Sequence, residues 1–227
     1  MIAAYTWAKS LTDGEIAAGG GPTGENFYNR NNEKAINQDD VPQAFSLSYV
    51  YELPFGPGKR FLNHSGVAGK VIGGWIFTGI QQYSVGTPIV LSATNSLPIF
   101  NQAQRPNVVS GVPLENNLSN FDPNNKASNH YINLAAFTVP APYTFGTAPR
   151  SFTGLRNPTS LNENFGLLKR IAFTERISLT YRVEFFDVFN RVVFGSPASN
   201  VSASNFGIIS SQGNTPRQGQ MALRLDF

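Results

Sequence analysis

The sequence predicts an all-β chain: an antiparallel meander of about six strands that belongs to an incomplete transmembrane β-barrel with long extracellular loops. Three observations predict it. First, the run from Arg217 to Phe227 places Gly219, Met221, Leu223, Leu225 and Phe227 on one parity, and Gln218, Gln220, Ala222, Arg224 and Asp226 on the other. A strand points successive side chains to opposite faces, so one face is apolar and the other polar. The run also has about the 9–11 residues that a tilted strand needs to cross a bilayer. Second, only 14% of residues are charged while 41% are hydrophobic, with 18 Phe and 8 Tyr. That is too apolar for disorder and rich in the aromatic residues that strands favour. Third, the connections between two-faced runs alternate long and short, the asymmetry of barrels with long outer loops and short inner turns.

The elements follow in order. Met1 to Ser10 reads as a strand with Tyr5 and Trp7 on one face and Thr6 and Ala8 on the other. Leu11 to Gln43 is polar, rich in Gly and Asn, and without period. Ala44 to Leu53 alternates cleanly: Phe45, Leu47, Tyr49, Tyr51 and Leu53 against Ser46, Ser48, Val50 and Glu52. Pro54 to Gly58 stops it, as clustered Pro and Gly do. Trp75 to Ser84 is a less tidy strand, broken in pattern by Ile76 and Ile80. Gly86 to Thr159 is a long irregular segment, uncommon in a compact soluble domain. Leu161 to Lys169 resumes as a strand. Ile177 to Phe186 opposes Ile177, Leu179, Tyr181, Val183 and Phe185 to Ser178, Thr180, Arg182 and Glu184. Arg191 to Pro216 is another loop with room for a short strand at Phe206 to Ser210, and the run from Arg217 to Phe227 closes the chain. Pro54 to Gly74 is long for an inner turn.

Energetics assigns the faces. A basic residue at mid-bilayer costs up to about 2–4 kcal/mol, so Ser46, Ser48, Thr180, Arg182, Glu184 and Arg224 are expected to face the lumen. Phe45, Leu47, Tyr49, Tyr51, Leu179, Tyr181, Val183, Leu223 and Leu225 are then expected to face lipid. Glu163 and Asp187 fall on the lipid parity at the loop-side ends of their strands, which places them above the hydrocarbon. Tyr5, Trp7, Tyr49, Tyr51, Trp75 and Phe227 suit the aromatic belts of a membrane interface.

Other chemistries find little support. The chain has no cysteine, which removes disulfides, thiol catalysis and Cys-ligated zinc. No run of basic residues suggests nucleic acid. Gly19, Gly21 and Gly24 match a dinucleotide-binding spacing, but Pro22 and the β surroundings read as a loop. Glu33, Asp39 and Asp40 offer oxygens for a hard cation, but their spacing matches no defined site and they read as a solvated loop. His64 and His130 lack ligand-spaced partners and read as surface residues. Arg182 and Glu184 share a face and suit pairing across strands better than catalysis. No nucleophile or acid–base set assembles, so no catalytic residue, cofactor or metal is assigned and an enzyme is not expected.

Several segments resemble a known family. Tyr5-Thr6-Trp7-Ala8-Lys9-Ser10-Leu11, Tyr49-Val50-Tyr51-Glu52-Leu53-Pro54-Phe55-Gly56, Gly73-Gly74-Trp75, Arg105-Pro106-Asn107, Ala135-Ala136-Phe137, Thr174-Glu175-Arg176 and Arg182 to Asn190 are similar, in order, to the C-terminal barrel of Oar-like TonB-dependent receptors. The terminal Phe227 is similar too. The resemblance implies that residues 1–227 are the C-terminal segment of a roughly 22-stranded outer-membrane barrel, with the plug domain and signal peptide outside this sequence. It implies uptake of a bulky ligand, energised by TonB through the N-terminal region, so transport by this segment alone is not expected. It also implies that barrel assembly machinery reads Met221, Leu223, Leu225 and Phe227 as a C-terminal signal. The expected partners are outer-membrane lipid, the rest of the barrel and plug, TonB and that machinery. The residues leave one alternative open, a soluble or surface β-sandwich of adhesin-like type, in which the apolar faces would pack on a second sheet.

Overall fold

The computed structural model describes residues 1–14, 24–26, 29–64, 66–94, 104–119, 121–122, 124–174 and 176–227; Gly19 and Gly21 lie outside them. The elements are β1 (Ile2–Trp7), β2 (Leu11–Thr12), β3 (Ala35–Ile36), β4 (Gln43–Glu52), α1 (Gly66–Ile72), β5 (Trp75–Ser84), β6 (Asn107–Val108), β7 (Phe137–Thr138), β8 (Ser160–Ala172), β9 (Ser178–Phe186) and β10 (Gln218–Asp226). Six of them form one antiparallel sheet in the order β1-β4-β5-β8-β9-β10. Sequence neighbours pair throughout, so this is a meander. The sheet is open: β1 and β10 each have one neighbour, and six strands are fewer than the 8 or so that close such a barrel. The expected all-β meander is therefore the observed fold.

Boundaries differ by a few residues. β1 ends at Trp7 instead of Ser10, although Ala8 N still donates to Pro42 O at 3.1 Å. β8 runs on to Ala172, three residues beyond the expected end. The segment from Phe206 to Ser210 is not a strand; Ile208 makes only an isolated bridge to His130. The connection after β4 holds the short helix α1, which accounts for its length.

The sandwich alternative is not what the chain forms. Its two smaller sheets, β2-β3 and β6-β7, have two strands each and lie in the connections. No second sheet covers the six-stranded one among the described residues. Leu223 stays 68% exposed and Tyr51 53% exposed.

The buried apolar core lies elsewhere. The connections 8–42, 85–159 and 187–217 all leave the same end of the sheet. Ile89, Leu91, Ile132, Ala136, Phe137, Ala148, Phe152 and Leu155, from the second, pack with Phe206, from the third. Phe137 meets Phe152 edge-on at 5.8 Å and Phe206 at 5.9 Å between ring centroids. This loop cap is irregular in backbone, as expected, yet it holds the chain's main hydrophobic cluster.

Candidate functional site

Three features can carry function: the two faces of the sheet and the loop cap. Register decides which side chains share a face. Tyr51, Phe77, Leu167, Val183 and Met221 form one cross-strand row, since each is the partner of the next. Phe45, Tyr83 and Leu161 form a second row on that face, and Leu47 and Tyr49 lie between these two rows on the same parity of β4. Trp75, Lys169, Tyr181 and Leu223 form a third, followed by Ile171, Leu179 and Leu225. The residues read from the sequence as lipid-facing thus fall on one face across all the strands that contain them.

That face is aromatic and smooth. Phe45 stacks on Tyr83 at 6.3 Å, Tyr49 lies 5.9 Å from Phe77, and Phe77 lies 5.4 Å from Phe165. Two of its positions are glycine for a steric reason. A Cβ on Gly79 would sit 2.4 Å from Tyr49 Cζ, and one on Gly219 would sit 3.1 Å from Phe185 Cε1. The cross-strand ring occupies the space that a side chain would take, the pairing by which an aromatic covers a strand glycine.

The opposite face gathers Ser46, Gln82 and Asn162, then Ser48, Ile80 and Asn164. Farther along come Val50, Thr78, Gly166, Glu184 and Gln220, then Arg170, Thr180 and Arg224. Ile76 and Ile80, which disturb the pattern of β5, lie on this face. It bears a hollow of about 340 Å³ lined in part by Ile2, Ser48, Val50, Thr78, Ile80 and Glu184. Arg182 and Glu184 do not pair across strands. They sit 3.5 Å apart along β9, while Gln220 Nε2 donates across to Glu184 at 2.6 Å. Arg224 pairs with Asp226 of its own strand at 2.7 Å. Phe227 ends the chain almost fully exposed.

Two acids sit on the aromatic parity at the loop end. Glu163 is buried, accepts from Tyr83 OH at 3.1 Å and from Arg191 Nε at 3.1 Å, and stands beside the cap. Asp187 follows β9 directly with φ 48° and accepts from the backbone of Arg191 and the side chain of Asn214. Both are held by polar groups of the third long connection.

The cap is locked by buried ions that the sequence does not announce. Arg105 pairs with Glu25 at 3.2 Å and with Glu33, and donates to Asn32 O at 3.1 Å. Arg150 donates to Glu33 O at 3.1 Å and Thr12 O at 2.6 Å. Arg156 pairs with Asp40 at 2.8 Å and donates to Asp40 O and Gly86 O. These guanidiniums come from the second long connection and bind groups of the first. The expectation that Glu33 and Asp40 belong to a solvated loop is therefore corrected: both are buried against arginine. Burial disfavours the Asp40 carboxylate, but hydrogen bonds from Ser10 N and Arg156 outweigh it and hold its pKa below the ordinary 3.8. His130 is likewise no free surface residue; its Nδ1 lies 3.1 Å from Phe206 O in the cap. His64 is exposed.

Residues 1–220 match the family described as Outer membrane beta barrel domain. The chain belongs to that family. It is an outer-membrane β-barrel domain protein of the bacterial outer membrane, consistent with its open antiparallel sheet. No curated protein and no solved structure matches it.

Proposed function

We infer that this barrel domain is the C-terminal segment of a TonB-dependent receptor of the Oar-like group, a transport protein and not an enzyme, which takes up a bulky ligand. Its aromatic face meets lipid, its polar face lines the lumen, and its open edges pair with further strands around a plug. The observation that carries the uptake reading is the loop cap. Three long connections converge at one end of the sheet: an apolar cluster joins the second to the third, and buried ion pairs join the second to the first. A porous barrel with floppy loops needs no such built surface; a receptor that selects a large ligand before transport does. The ordered resemblance of Tyr5 to Leu11, Tyr49 to Gly56 and Arg182 to Asn190 to Oar-like receptors supports the finer assignment.

The test is genetic. Host strains lacking the gene, or lacking TonB, are grown on bulky nutrients: oligosaccharides, peptides and metal chelates. The expected result is at least one nutrient lost in both strains and restored by the gene. A nutrient lost without the gene but used normally without TonB would overturn the energised part of the reading. Normal growth of the gene-deleted strain on all of them would overturn uptake.

A further inference from the structure

The connection between β4 and β5 does more than reverse the chain. It folds against the aromatic face at the end opposite the cap. Trp75 Nε1 donates to Val71 O at 3.3 Å. Lys169 Nζ donates to Val71 O at 2.9 Å and to Gly73 O. These are carbonyls at the C-terminal end of α1, where a cation satisfies groups the helix leaves unpaired. Beside them Leu53, Phe55, Leu62, Ile72, Trp75 and Leu167 line an apolar hollow of about 340 Å³. Trp75 and Leu167 belong to the aromatic face of the sheet, so the hollow is continuous with it. Phe61, Val67 and Val71 add exposed apolar surface in the same connection.

The connection that builds the hollow is basic. From Leu53 to Gly74 the chain carries Lys59, Arg60 and Lys70 and no acidic residue. Lys59 reaches back to Glu52 at 2.8 Å. Neither Arg60 nor Lys70 is held by a carboxylate among the described residues, and Arg60 lies 5.3 Å from the Phe61 ring centroid. An apolar slot at a membrane boundary, in a connection that carries two basic residues without a carboxylate partner, is complementary to a lipid with an anionic head.

We propose that this turn binds an anionic phospholipid of the periplasmic leaflet, with an acyl chain in the hollow and the phosphate on Arg60 and Lys70. The proposal rests on the reading that the aromatic face meets lipid. Basic residues at an anionic membrane surface each contribute about fivefold in affinity, so the two together select the anionic lipid by on the order of 25-fold.

The chain has two tryptophans, Trp7 and Trp75. Trp7→Phe therefore leaves the one that lines the hollow as the only emitter. The full chain carrying this substitution is placed in phosphatidylcholine vesicles that contain a minor fraction of brominated phosphatidylglycerol or, in parallel, brominated phosphatidylcholine. The expected result is Trp75 quenching by brominated phosphatidylglycerol far above its share of the bilayer, and by brominated phosphatidylcholine only in proportion to its share. Arg60→Gln with Lys70→Gln should reduce the first to the level of the second. Equal quenching by the two lipids in the parent chain would overturn the proposal and leave the lipid-facing assignment intact. Quenching by neither would overturn both, and points to a protein surface over Trp75.

Discussion

Arginine placed on the aromatic face should cost far more than leucine placed on the polar face, and the cost should grow with depth. In β9, Val183 lies about five residues above the turn-side end at Ser178, or ~17 Å of strand. A tilt of about 40° turns that into ~13 Å of height, roughly the middle of a ~25 Å apolar band. Val183→Arg should then destabilise the inserted state by about 2–4 kcal/mol, roughly 30- to 1,000-fold in the insertion equilibrium. Tyr181 stands ~8 Å up by the same reckoning, so Tyr181→Arg should cost about 1–2 kcal/mol, while Tyr181→Leu should be mild. Arg182→Leu removes a half-exposed pair with Glu184 and should change stability by no more than ~1 kcal/mol. Reversible urea unfolding of the vesicle-inserted protein measures all four. Arg182→Leu as harmful as Val183→Arg, or Tyr181→Arg costlier than Val183→Arg, would refute the facing and depth assignment.

The cap and the terminus give further predictions. Arg105→Leu strands Glu25 and Glu33 in a buried site, which costs about 3–5 kcal/mol; protease cleavage within 104–156 should accelerate by about two to four orders of magnitude, and an unchanged rate would deny the ion network its role. Asp40 has a folded-state pKa below its ordinary 3.8, so its contribution is complete above that value and is lost as pH falls below it. Hydrogen exchange at Ser10 N, which donates to Asp40 at 2.6 Å, should lose protection in that acid range in the parent and be unprotected at all pH values in Asp40→Ala; acid-insensitive protection in the parent would contradict this. Deleting Phe227 from the protein in its host should lower outer-membrane levels far more than deleting Asn125, because a terminal aromatic anchors the strand at the interface; equal levels by membrane fractionation would leave Phe227 without an assembly role.

The sheet was legible because its strands are two-faced. Where alternation is strict, as in β4, β9 and β10, side-chain parity alone predicted which residues share a row. Legibility failed where a residue of the wrong polarity has a tertiary reason to be there. Lys169 breaks the apolar parity of β8 because its ammonium caps α1, contributed from almost a hundred residues away. Ile80 breaks the parity of β5 because it lines the hollow of the polar face, and Ile76 lies on that face between Glu52 and Leu168. The cap is irregular in sequence pattern, and its backbone is irregular too. Its order comes from contacts such as Arg105 with Glu25, which no local pattern encodes. The only trace was Arg105-Pro106-Asn107 standing out as a family-like segment. Glu33 and Asp40 stand out by their charge, but the partners that explain them, Arg105 and Arg156, lie in another connection.

If the aromatic face meets lipid and the polar face meets the lumen, access along one strand must alternate between the two. Because the chain has no cysteine, a single cysteine introduced at each position from 178 to 186 is its only thiol. Spin labels at those nine positions of β9, in the membrane-inserted protein, report access to oxygen, which partitions into lipid, and to a water-soluble nickel chelate. The expected result is a strict two-residue alternation: 179, 181, 183 and 185 favour oxygen, and 180, 182 and 184 favour the chelate. The opposite phase, or no alternation, would contradict it.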